Sequence, residues 1–379
     1  MQYRAFGKLE WRPSALGFGA MRLPILDEDP SKIDEPLAAE MIRTAIDAGV
    51  NYVDTARVYH RGQCEPFIGR ALRDGYRERV KLATKLSHIP KSLKAFRTYL
   101  DEQLADLQTD HIDFYLLHGV NRRSWELEKP TLPWIEEAIN EGKIGHLGFS
   151  FHDDLETFKS IVDSYDWTFC QIMYNYMDIE DQAGTEGLLY AADKGLAIVI
   201  MEPLRGGGLV EPIPDSVAEL WRSAPVERTP AEWALHWVWD HPEVSLLLSG
   251  MSDLSQVEQN LASADASGTK RMTQPELDVV AKVREEYRKL IRVSCTKCQY
   301  CMPCPQGVGI PHVFRLYNDL SMYGNEDWIR QQYFEHTPES MRAPGCIACG
   351  TCEEACPQQI KIIEVLREAH DALLTTLSS

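Results

Sequence analysis

The sequence predicts an α/β fold: a closed (β/α)8 TIM barrel followed by a small α-helical domain. Three observations carry that prediction. From residue 15 onward, short apolar segments alternate with amphipathic ones eight times, over the roughly 250 residues such a barrel needs. No G-x-G-x-x-G turn follows the first apolar segment, which argues against a doubly wound open sheet. Beyond residue 270 the alternation stops, and eight of the ten cysteines crowd into the tail. The expected domains are therefore 1–270 and 271–379.

The expected strands are Ala15–Ala20, Asn51–Ala56, Val80–Leu86, Ile112–His118, Ile144–Ser150, Phe169–Asn175, Leu196–Pro203 and Val244–Gly250. They are short and rich in β-branched or aromatic residues, as strands covered on both faces should be. Between them, Pro36–Ala48 places Leu37, Met41, Ile42 and Ala45 at helical spacing. Leu93–Leu107 and Pro230–Asp240 read the same way, the latter opening on Thr229, Pro230 and Glu232, a favourable helix start. Leu254–Ala264 is the expected last barrel helix, and Gln274–Arg292 leads into the tail.

Composition narrows the function classes. A net charge of −18 opposes binding to nucleic acid, whose phosphates would be repelled. No apolar run reaches the ~20 residues needed to span a bilayer. The start, Met1-Gln2-Tyr3-Arg4, lacks the layout of a secretory signal. Clustered thiols suit a reducing compartment, so a cytoplasmic location is expected.

The tail carries the most specific chemical signal. Cys295, Cys298, Cys301 and Cys304-Pro305 form one group, and Cys346, Cys349, Cys352 and Cys356-Pro357 the other. The second group has the C-x2-C-x2-C-x3-C-P spacing by which thiolates hold iron–sulfur clusters, the fourth cysteine ligating the other cluster. Cys295, Cys298, Cys301 and Cys356 are thus expected to hold one [4Fe–4S] cluster, and Cys346, Cys349, Cys352 and Cys304 a second. Paired C-x2-C motifs also build zinc sites, but zinc requires neither the third equally spaced cysteine nor the proline. The first group has two residues, not three, before its fourth cysteine, which leaves a single cluster as the alternative. The 41 residues between the groups read as helical over Val313–Met322 and Glu326–Phe334, so an all-helical ferredoxin-like domain is expected.

Chemistry in a (β/α)8 barrel sits at the C-terminal ends of the strands. Asp54 and Tyr59 follow the second expected strand, Lys85 ends the third and His118 the fourth. Each alone has an ordinary structural role; four together at successive strand ends point to a site. The loop Glu202-Pro203-Leu204-Arg205-Gly206-Gly207-Gly208 and Gly250-Met251-Ser252 follow the seventh and eighth strands, where barrels bind phosphate.

Residues 1–264 resemble the aldo/keto reductases in the order Asp54, Tyr59, Lys85, His118 and in Leu16-Gly17-Phe18-Gly19-Ala20-Met21-Arg22-Leu23. The whole chain resembles the subgroup with a C-terminal 4Fe–4S ferredoxin-type domain. The resemblance implies an NAD(P)-linked oxidoreductase interconverting a small-molecule carbonyl compound and its alcohol. It makes Tyr59 the general acid, with Lys85, paired to Asp54, lowering its pKa, and His118 a hydrogen-bond donor to the substrate oxygen. It places Ser150, Gln171 and Asn175 at the nicotinamide amide. Pro203, Leu204, Arg205, Gly206, Gly250, Ser252, Gln256 and Asn260 would surround the rest of NADP(H) or NAD(H). Met201 stands where relatives stack a tyrosine, and Gly250 and Gln256 stand where NADP-specific relatives carry cations, so the choice of cofactor stays open. Ferredoxin or another redox protein is an expected partner for the clusters. The competing function is an electron-transfer or redox-sensing protein whose barrel lacks turnover; the intact set of four strand-end residues argues against it. Cys64 and Cys170 read as buried, inert thiols.

Overall fold

A computed structural model describes residues 1–295, 300–323, 325–356 and 358–374. Cys298 and Pro357 of the cysteine motifs lie outside the described residues. Eight parallel strands close into a barrel in sequence order. They are β1 (Leu16–Gly19), β2 (Tyr52–Asp54), β3 (Lys81–Leu86), β4 (Ile112–Val120), β5 (Ile144–Phe151), β6 (Phe169–Met173), β7 (Ala197–Met201) and β8 (Val244–Gly250). The expected (β/α)8 barrel is confirmed, with strand ends displaced by at most a few residues. The intervening helices form for the local reasons anticipated. Asp34 accepts from Leu37 N–H at the start of Glu35–Asp47, and Ser92 from Ala95 N–H at the start of Leu93–Asp106.

Successive side chains of a strand point to opposite faces, and this alternation builds the site. Tyr52, Ala83, Phe114, Phe169, Val199 and Leu248 belong to one buried cluster inside the barrel, joined by Phe6 from the N-terminal segment. Phe6 stands 4.9 Å from the Phe114 ring and 5.4 Å from Trp11, so an aromatic plug fills the end where the strands begin. Two residues further along each strand, the same inward stripe reaches Asp54, Lys85, Gln171 and Met201. Two residues past Leu116 it reaches His118.

The chain divides into two compact units, residues 1–204 with 232–273, and residues 205–231 with 274–379. The segment 205–231, which follows β7, thus groups with the cysteine tail. The second unit is helical: Asp215–Arg222, Gln274–Lys289, Ile310–Tyr323, Glu326–Gln331 and Ile362–Leu374. Its core gathers Val308, Phe314, Leu316, Ile329, Tyr333 and Leu366, with Cys295, Cys301, Cys304, Cys346, Cys352 and Cys356 packed against it. The all-helical reading between the cysteine groups holds, although Glu326–Gln331 gives way to a single π turn at Gln332–His336. Among the described residues no helix is long and apolar enough to cross a membrane.

Candidate active site and cysteine cavity

At the C-terminal end of the barrel, the Lys85 ammonium lies 2.6 Å from Asp54 Oδ1 and donates to Thr55 O at 2.8 Å. Both side chains are sealed from solvent, at 1% and 3% exposure. Burial opposes charge on Lys85, but Asp54, Tyr59 and their hydrogen bonds outweigh it and hold the ammonium above the ordinary lysine range. Burial lifts the Asp54 carboxyl, and Lys85 pulls it back. Among the described residues the second Asp54 oxygen is buried without a partner.

Tyr59 sits on the turn Tyr59–Gly62, with Lys85 Nζ 4.9 Å from its ring centre. His118 meets the Tyr59 ring edge-on, with ring centres 6.1 Å apart. The structure thus brings together the four residues singled out from the sequence. It corrects one expectation: the Tyr59 phenol is raised above its ordinary value, not lowered. Burial is the largest influence; Lys85 pulls downward, but the adjacent Asp54 carboxylate spends much of that charge and pushes upward. The phenol is therefore a loaded proton donor at neutral pH. His118 is pushed down to about 3 by burial, then by Lys85 and His152, and is neutral.

Ser150 and Gln171 are paired across β5 and β6, and both are buried. Gly119 N–H donates to Ser150 Oγ at 2.7 Å, leaving the Ser150 hydroxyl hydrogen to donate. Among the described residues Gln171 Oε1 is buried with no partner. One donor and one orphaned acceptor side by side match the two ends of a carboxamide, so this corner fits a nicotinamide. Asn175 is differently committed: its amide donates to Asp178 and Glu202 O and accepts from Met177 and Asp178 N–H, tying a turn.

The other residues expected at the nucleotide are scattered in role. Pro203 is buried and Leu204 half-buried at the end of the first unit. Arg205 and Gly206 belong to the second unit, where the Arg205 guanidinium lies 2.8 Å from Asp319 and 4.8 Å from the Tyr323 ring centre. Gln256 folds back on its own loop, accepting from Ser252 N–H and donating to Asp253, the residue that caps Leu254–Ala266. Asn260 donates to Ser249 at the end of β8. Two residues escaped the sequence reading. Ser87 Oγ lies 2.6 Å from His118 Nδ1. Arg22 lies along Gly250, its aliphatic stem 3.3 Å from where a Cβ would stand. Only the fold could reveal either contact.

In the second unit, a cavity of about 180 Å³ is lined by Cys301, Cys304, Cys346, Cys349 and Cys352 among Met302, Val308, Ile310 and Leu366. A water needs only ~10–15 Å³, so the cavity is far larger than one water, and thiols in an apolar shell are the donor chemistry of a cluster. Among the described residues, however, no group of three or more Cys, His, Asp or Glu side chains is gathered closely enough to hold a metal ion. All four cysteines assigned to the second cluster border it. Of the first set, Cys301 borders it too. Cys64 and Cys170 are fully buried as expected, and burial pushes the Cys64 thiol up to about 12.

Replacing Lys85 by Met removes the charge that compensates buried Asp54. The variant should unfold about 3–5 kcal/mol more easily at neutral pH in chemical denaturation of the barrel, whereas a Lys85→Met, Asp54→Leu double variant should recover most of that loss.

The comparisons with known proteins agree with this geometry. The family model described as the aldo/keto reductase family matches residues 15–274, and that of a 4Fe–4S dicluster domain matches residues 294–360. L-galactose dehydrogenase of Arabidopsis thaliana is 26% identical over 320 residues, covering 76% of this chain and 96% of its own. An aldo-keto reductase of Bacillus halodurans in its holo form superposes with a TM-score of 0.64 at 27% identity, over 75% of this chain and 96% of that one. An aldo-keto reductase of Klebsiella pneumoniae in complex with NADPH gives 0.60 at 25% identity, with the same coverage. A closed eight-stranded barrel, the family match across it and the dicluster match beyond it lead to one conclusion: the chain belongs to the aldo/keto reductase family of oxidoreductases and carries a C-terminal 4Fe–4S domain.

Proposed function

We propose that this chain interconverts a small-molecule carbonyl compound and its alcohol with NAD(P)(H), and that its second unit carries two [4Fe–4S] clusters. The observation that carries the reading is the buried Lys85–Asp54 pair beneath Tyr59 and beside His118. The nicotinamide, when bound, supplies or accepts the hydride. Tyr59 gives its proton to the carbonyl oxygen, and its raised pKa keeps that proton in place until the oxygen turns basic. Lys85, 4.9 Å from the ring, stabilises the phenolate left behind. Asp54 holds Lys85 charged and fixed. His118, neutral at physiological pH, donates a hydrogen bond to the same oxygen as charge develops on it.

Ser150 and Gln171 orient the carboxamide, fixing the ring face presented to the substrate. Pro203, Leu204, Gly250, Ser252, Gln256 and Asn260, all in the first unit, are the proposed surround of the rest of the dinucleotide. Arg22, whose aliphatic stem lies along Gly250, is the proposed cation for a phosphate of the dinucleotide.

In the tail, Cys304, Cys346, Cys349 and Cys352 would hold one cluster, and Cys295, Cys298, Cys301 and Cys356 the other. Clusters, when bound, pass electrons singly. Tyr300 and Ile347, at the cavity rim, are 69% and 62% exposed. That exposure supports a small redox protein such as ferredoxin as the partner.

Two results test the reading. Tyr59→Phe should lower kcat for carbonyl reduction by about 10²–10⁴-fold while nicotinamide binding, followed by fluorescence, persists; retention of wild-type kcat would remove Tyr59 from the mechanism. Because Tyr59 titrates above its ordinary value near 10 and His118 near 3, kcat/KM for reduction should be flat from about pH 5 to 9. It should fall only as alkali strips the phenol. A limb near the ordinary histidine value of about 6.5 would contradict the assignment of His118 as a neutral donor.

A further inference from the structure

We propose that Ser87 is a positioning residue that sets the tautomer of His118, so that Nε2 carries the ring proton and can donate to the substrate oxygen. The inference rests on the reductase reading above and concerns a residue outside the four strand-end groups.

Ser87 directly follows β3, two residues beyond Lys85. Its backbone N–H donates to the Tyr99 hydroxyl at 3.3 Å, and Tyr99 in turn lies under the Arg57 guanidinium, 5.0 Å from its ring centre. The residue is therefore anchored by the helix Leu93–Asp106 independently of its side chain. Its Oγ stands 2.6 Å from His118 Nδ1, its only partner among the described residues, and His118 Nε2 has none. Burial, Lys85 and His152 keep the ring neutral, so it carries one N–H, on either Nδ1 or Nε2.

The two tautomers differ in consequence. With the proton on Nδ1, the ring donates to Ser87 Oγ, the serine hydroxyl proton is left without a protein acceptor, and Nε2 offers a lone pair. A lone pair facing a carbonyl oxygen repels it, more so as negative charge grows there. With the proton on Nε2, Ser87 donates to Nδ1, both groups are satisfied, and Nε2–H is left for the substrate. The second arrangement makes use of every donor present. A neutral imidazole oriented by the partner of its other nitrogen is a general device; here the partner is a hydroxyl just past the end of β3, and the arrangement costs no buried charge.

The test uses the full chain with its clusters intact and oxidised, labelled with ¹⁵N-histidine, the His118 signals being identified by their loss in His118→Asn. Wild-type protein should show Nε2 protonated and Nδ1 bare. Ser87→Ala should move His118 toward the Nδ1–H form and lower kcat about tenfold, as expected for one hydrogen bond worth ~1–1.5 kcal/mol, with KM little changed. Ser87→Thr, which keeps the hydroxyl, should restore both signals and rate. A wild-type His118 protonated on Nδ1, or a tautomer unchanged in Ser87→Ala, would overturn the inference. If the wild-type protein reduces no carbonyl compound, the reductase reading falls, and the nitrogen signals still decide whether Ser87 sets the ring.

Discussion

Lys85 and Asp54 form an ion pair 2.6 Å long inside a barrel that excludes water from both. Removing two charges from water costs several kcal/mol per ion, and their attraction offsets this only in good geometry. Among the described residues one Asp54 oxygen has no partner, so the pair is not built for stability alone. Its consequence is local: a fixed positive charge stands under the Tyr59 ring, nearly cancelled at a distance by the carboxylate. The phenol therefore keeps its proton in the resting site, yet the phenolate formed on transfer has a cation 4.9 Å from its ring. Desolvation and charge work in opposite directions on one hydroxyl, and the balance suits an acid that must be full before the reaction and tolerable when empty.

The barrel makes that balance possible by simple alternation. The inward stripes of β2, β3, β4 and β6 begin in aromatic and aliphatic packing, closed by Phe6 and Trp11, and end in a polar group. Asp54, Lys85, His118 and Gln171 are each two residues beyond a buried apolar residue. The site is the last layer of the core, and its side chains inherit the rigidity of the layer beneath.

Much of this was legible in the sequence because period and spacing are local properties. The strands were placed by their apolar runs, and the four strand-end residues by their position on those runs. The cysteine groups were read from their spacing. What could not be read depends on distance in space. Ser87 and His118 are thirty-one positions apart, and nothing in either neighbourhood marks them as partners. Arg22 reaches Gly250 only because β1 pairs with β8 when the barrel closes. The direction of the Tyr59 shift is not legible in the sequence, which shows Lys85 nearby but not how strongly the surroundings desolvate the phenol. Residues 205–231 look like one more barrel loop and helix, yet their contacts, including Arg205 with Asp319, place them with the tail.

The most direct measurement of the central claim follows the hydride itself. Protein purified without oxygen would be given a reduced nicotinamide dinucleotide deuterated at C4, with and without the 2′-phosphate, and a panel of aldehydes. The alcohols would then be analysed by mass and NMR. The account predicts deuterium on the carbinol carbon, transferred from one face of the nicotinamide only and lost in Tyr59→Phe. Alcohol formed without deuterium, or no alcohol from any aldehyde with either cofactor, would contradict it.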